Sequence, residues 1–73
     1  MAIVSLSSED GILSTAIVDD WFWKSNEARV RQFAQHAMLD IDVFPTAEGL
    51  HPDWKVSSMT DVSAWIARAR AMR

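Results

Sequence analysis

Two histidines stand close to aspartates in this sequence: His36 is followed by Asp40 and Asp42, and His51 by Asp53. Residues four apart share a helix face, so His36 and Asp40 would present a nitrogen and a carboxylate together. With His51 and Asp53 they offer donor types that zinc or manganese accepts. The spacing matches no metal motif, however. Asp40-x-Asp42 also lacks the further ligands and turn glycine of a calcium loop. The expectation is no metal and no other cofactor. Nucleophilic chemistry fares no better, with no cysteine and no Gly-x-Ser-x-Gly elbow. Ser7, Ser8, Ser25, Ser57 and Ser58 stand where turns and helix caps favour serine. Gly11 and Gly49 are isolated, so no glycine-rich loop can cradle a phosphate. Asp19 and Asp20 are adjacent and diverge in either a helix or a strand. A chain of 73 residues has little room for a substrate pocket beside a core. No catalytic residue is assigned, and the chain is expected not to be an enzyme.

The residues most suited to binding lie in VDDWFWKS, Val18 to Ser25. Trp21, Phe22 and Trp23 are consecutive, and no regular element can point all three the same way. A strand would put Trp21 and Trp23 on one face and Phe22 on the other. A helix turns about 100° per residue and spreads the three over more than half its circumference. Extending the following helix backwards puts Trp23 near its apolar stripe, Phe22 at the stripe's edge and Trp21 away from it. One reading makes all three core or boundary residues. The other makes one or two of them the centre of an interface, with Asp19, Asp20 and Lys24 as a polar rim. An aromatic side chain buries about 150–250 Å², worth roughly 4–6 kcal/mol before entropic costs. That is comparable with the whole stability of a small domain.

The elements that must position these residues follow from pattern. AIVSL (2–6) and ILSTAIV (12–18) are short, apolar and partly β-branched, and Asp10-Gly11 between them is a turn signal. They read as an N-terminal β-hairpin. The rival is a helix capped by Ser7 or Ser8, opposed by Gly11 and by the β-branched Thr15, Ile17 and Val18. Ser25 is suited to cap a central helix over 25–39, with Val30, Phe33, Ala34, Ala37 and Met38 as its apolar stripe. Asp19 or Asp20 is suited to cap it earlier. IDVF (41–44) and WKVSS (54–58) alternate as short strands around the loop 45–53. Thr60 is suited to cap a C-terminal helix whose stripe is Val62, Trp65, Ile66, Ala69 and Met72. Arg68, Arg70 and Arg73 suit the negative end of its dipole. The fold class is α+β, a single domain over residues 1–73; the alternative is a mostly α chain of three helices.

The hydrophobic fraction of 49%, with four Trp and three Phe, is that of a packed domain. Absence of cysteine excludes disulfides and thiolate zinc, and fits a reducing compartment. MAIVSLSSEDG lacks the basic start of a signal peptide, and no apolar run nears the roughly 18 residues of a membrane span. A cytoplasmic protein without membrane contact is expected. Net charge is −3, a deficit of the clustered bases that track phosphates, so nucleic acid is disfavoured. These properties point to a small protein-binding module with no catalytic or cofactor role, acting as an inhibitor or adaptor and forming a homodimer. Small blocking proteins of phages and mobile elements, anti-CRISPR proteins among them, share this size and composition. The competing reading is a dimeric nucleic-acid-binding regulator using Arg29, Arg31 and the C-terminal arginines.

Overall fold

The computed structural model describes residues 1–46 and 48–72. Ala47 of the expected loop and Arg73 of the C-terminal arginines lie outside the described residues. The elements run β1 (Ala2–Ser8), β2 (Gly11–Val18), α1 (Asp20–His36), β3 (Asp40–Phe44), β4 (Trp54–Val56) and α2 (Met59–Ala71). The fold is α+β, beginning with the expected hairpin; residues 11–18 are strand, not helix.

The hairpin turns through Glu9 and Asp10, one residue earlier than the Asp10-Gly11 signal suggests. Gly11 already belongs to β2, pairs with Ser8 and has φ +119°, a conformation that a Cβ opposes. Pairing runs Ser7 to Ile12 and then Leu6 to Ser14, which leaves Leu13 as an extra residue in a bulge. From there Ala16 and Val18 lie beside Val4 and Ala2. These alternate residues of β1 and β2 form the sheet's contribution to the helix-side core.

The sheet order is β3-β1-β2-β4. β1 is antiparallel to β2 and β3, and β2 is parallel to β4. Both helices pack on one face. Residues 45–53 connect β3 and β4, which lie at opposite edges of the sheet. Leu50 and Pro52 are half-buried. Ile3, Ser5 and Thr15 are buried too, although they alternate with the helix-side residues of β1 and β2. Ser5 and Thr15 are cross-strand partners, and their hydroxyls bond at 2.8 Å. Neither buried hydroxyl is thereby left without a partner.

Helix α1 starts at Asp20, not after Ser25, because Asp19 is the better-anchored cap. Its carboxylate accepts from the Phe22 N–H at 2.9 Å, and its own N–H donates to the Val56 carbonyl at 3.0 Å. The early start rotates the buried face. Phe22, Val30, Ala34 and Ala37 are buried, whereas Phe33 and Met38 of the expected stripe are exposed. Helix α2 likewise begins earlier than Thr60. Ser58 is the cap, accepting from the Asp61 N–H at 3.2 Å, and Asp61 accepts from the Ser57 N–H at 2.9 Å. This reciprocal arrangement resembles a capping box. The Ser57 N–H bond is the main cause holding the Asp61 carboxyl below its ordinary value. The stripe Val62, Trp65, Ile66 and Ala69 is buried as expected; Met72 is exposed at the helix end.

Where α1 ends, the Met38 N–H donates to the Gln35 carbonyl and the Leu39 N–H to the Ala34 carbonyl, both at 2.9 Å. This double closure puts Met38 in the left-handed position at φ 60°, where glycine is usual. Met38 is 79% exposed, so replacing its side chain removes little buried surface. Met38→Gly is expected to stabilise the protein by about 0.5–1 kcal/mol, after glycine's greater unfolded-state entropy is subtracted. A thermal melt should show the midpoint raised by roughly 3–6 °C. An unchanged or lower midpoint would mean that the methionine side chain contributes more than the strain costs.

Candidate interaction surface at the start of α1

The cap on Asp19 sets the direction of the aromatic triplet. The Asp19 carbonyl accepts from the Trp23 N–H at 2.8 Å, so the helical rotation is established within the first turn. Successive 100° steps then separate the three side chains. Phe22 turns into the core. Trp23 is half-buried on the flank and packs against the core. Trp21 turns outward and is 77% exposed. The order expected for the two inner residues is therefore corrected: Phe22 takes the buried position and Trp23 the edge. The reason is that the buried face passes through Phe22, Val30 and Ala34, rotated away from Phe33.

Of the six residues proposed as a binding set, four line one open cleft of about 450 Å³: Asp20, Trp21, Trp23 and Lys24. The other two do structural work. Phe22 is core, and the Asp19 carboxylate is engaged by the helix it caps. Trp23 is also partly occupied. The Arg31 guanidinium lies 5.8 Å from its ring centroid and pairs with Glu27 at 3.0 Å. This is within cation–π range and steadies the ring's outer side. Among the described residues, no cation lies over the Trp21 ring in this way. The surface thus has one large free aromatic, with an acid and a base beside it. Its lining is two indole rings, a carboxylate and an ammonium group.

The residues considered for other chemistry are dispersed or engaged. Among the described residues, no group of three or more His, Cys, Asp or Glu side chains lies together in a way that could hold a metal ion. Asp53 accepts from the Ser14 hydroxyl at 2.9 Å and from the Thr15 N–H at 3.2 Å. Arg68 pairs with Asp53 at 3.2 Å and lies 5.0 Å from the Trp54 ring centroid. This arginine is committed to the fold, and sequence reading did not anticipate its partners. The signal was faint: only the adjacency of Asp53 and Trp54 at the start of β4. No helix among the described residues is long and apolar enough to cross a membrane. Comparison with protein families, curated proteins and solved structures finds no match to this chain.

Proposed function

We propose that this chain is a non-enzymatic protein-binding module that masks a surface of a partner protein, as an inhibitor or adaptor does. Trp21 anchors the contact, and Asp20 and Lys24 form its rim. The observation that carries this reading is the exposure of Trp21. It lies on the outward side of a helix whose core is complete without it. Desolvating such a ring contributes roughly 4–6 kcal/mol before entropic costs, and tryptophan is enriched among residues that dominate binding energy. Without the partner, two copies cover each other's Trp21, and the protein is a homodimer. Its place is among the blocking proteins of phages and mobile elements, working in the cytoplasm.

Trp21→Ser tests the proposal. Because Trp21 lies outside the core, the variant should keep its circular dichroism spectrum and melt within a few degrees of wild type. In sedimentation over a concentration series, wild type should be dimeric and the variant monomeric. A variant that stays folded and associates as wild type does would place the contact elsewhere. A variant that unfolds would make Trp21 a residue of the fold.

A further inference from the structure

A second surface lies between the two helices. Phe33 and His36 of α1, its cap residue Ala37, and Ile66, Ala67 and Arg70 of α2 line a mostly apolar groove of about 370 Å³. Both helices follow strands that run in the same direction, β2 and β4, so α1 and α2 run roughly parallel. His36 and Arg70, each in the last turn of its helix, therefore stand at the same end of the groove. Phe33, 41% exposed, lies one turn back. The outward face of α2 is small and uncharged: Thr60, Ser63, Ala64, Ala67 and Ala71 are all exposed. A helix backbone can approach such a face closely.

Charge decides what fits there. The helices carry five bases against three acids, whereas the whole chain carries seven against ten. The rest of the sequence therefore has two bases against seven acids, and the helical layer is a local inversion of a −3 chain. No acid lines the groove. Arg70 has no ion pair among the described residues, unlike Arg31 and Arg68, which are paired with Glu27 and Asp53. A second copy is a poor occupant. A second copy's groove, lined by no acid, has no carboxylate to offer Arg70.

We infer that this groove binds an acidic amphipathic helix of a partner protein. Apolar side chains at i and i+3 or i+4 enter over Phe33, Ala37 and Ile66. A carboxylate on the same helix meets Arg70 and His36. This is helix-in-groove recognition with an electrostatic address at one end. It is a contact distinct from that of Trp21, whose Cα lies about 18 Å from that of Phe33 along α1.

The probe is a phage-displayed library of amphipathic helical peptides, randomised at the positions flanking an apolar stripe. Selected peptides should carry Asp or Glu at the end of the stripe. A selected peptide, labelled with fluorescein and followed by anisotropy, should bind Arg70→Glu and Ala67→Glu at least about tenfold more weakly. Both positions are exposed, so circular dichroism should show each variant folded. Replacing the peptide's acid by lysine should restore binding to Arg70→Glu. Trp21→Ser should leave peptide affinity unchanged, which separates this contact from the one proposed above. The inference is overturned by failure to enrich any peptide or by selection of basic or uncharged peptides. It is also overturned if affinity survives Ala67→Glu or is lost in Trp21→Ser. If Ala67→Glu abolishes self-association in sedimentation, the occupant is a second copy and the inference fails.

Discussion

Alanine at position 65 should remove about 3–5 kcal/mol of stability, a large share of what a domain of this size holds. Trp65 is fully buried at the centre of the α2 stripe, between Val62, Ile66 and Ala69. Its ring fills space that neither the sheet nor α1 can close without moving. The indole also has a polar duty. Its Nε1–H donates to the Ser14 hydroxyl at 2.9 Å, and that hydroxyl donates to Asp53. Truncation thus opens a cavity and removes a donor from a buried serine. Urea denaturation followed by circular dichroism should show the midpoint collapse or the cooperative transition disappear. Trp65→Phe separates the two effects. It keeps most of the apolar volume and loses the N–H, so its cost should be smaller, roughly 1–3 kcal/mol, taking the lost bond and the residual volume change together. If Trp65→Ala melts within a few degrees of wild type, the stripe is not what holds α2 to the sheet.

The legibility of that stripe contrasts with what happens in α1. In α2 the apolar residues repeat without interruption, and local period alone gives the buried face. In α1 more than one register satisfies the period. Phe33 and Met38 fit a stripe with Val30 and Ala37, but so do Phe22 and Ala34. The choice is made by the tie from Asp19 to Val56, a contact between residues far apart in sequence. Ser25 and Thr60 have the chemistry of a cap; Asp19 and Ser58 have it too and are also held in place by their surroundings. Apolar, β-branched runs around a turn signal revealed β1 and β2, and alternation revealed β3 and β4, but neither gave the pairing between them. The order β3-β1-β2-β4 requires the 45–53 segment to connect opposite edges of the sheet, and nothing local in that segment encodes the connection. Nor did Ile3 and Ser5 read as residues of a second buried face. At the aromatic triplet, helical rotation gives the outward direction of Trp21. The exchange between Phe22 and Trp23 depends on the tertiary choice of register. The groove between α1 and α2 was illegible because it depends on which flanks of two separate helices meet.

Asp53 was read as a loop residue beside His51, yet its removal should be the second most damaging single change considered. Its N–H donates to the Thr15 carbonyl at 2.9 Å, and its carboxylate accepts from the Thr15 N–H and the Ser14 hydroxyl. It therefore extends the β2–β4 pairing by one residue and holds the hydroxyl that receives the Trp65 indole. Arg68 adds an ion pair from α2. Burial acts to raise the Asp53 pKa, but the Ser14 and Thr15 hydrogen bonds and the Arg68 charge outweigh it, and the carboxyl is held below its ordinary value. A carboxyl with a lowered folded-state pKa contributes stability above its unfolded-state value. That contribution is lost as pH falls through the folded-state value, so the loss belongs below about pH 4. Asp53→Ala should cost about 2 kcal/mol at neutral pH, with the ion pair counted as minor because both partners are partly exposed. Asp53→Asn keeps an acceptor oxygen for Ser14 and Thr15 but loses the charge and the Oδ2 acceptor of the exposed Arg68 pair, so it should cost less than Asp53→Ala. Its melting midpoint should also fall less steeply than that of wild type as pH drops below about 4, the unfolded carboxylate value being about 3.9. Parallel acid slopes in wild type and Asp53→Asn would show that other carboxylates govern the acid transition. Equal losses at neutral pH in Asp53→Ala and Asp53→Asn would show that the charge, and not the acceptor geometry, carries the interaction.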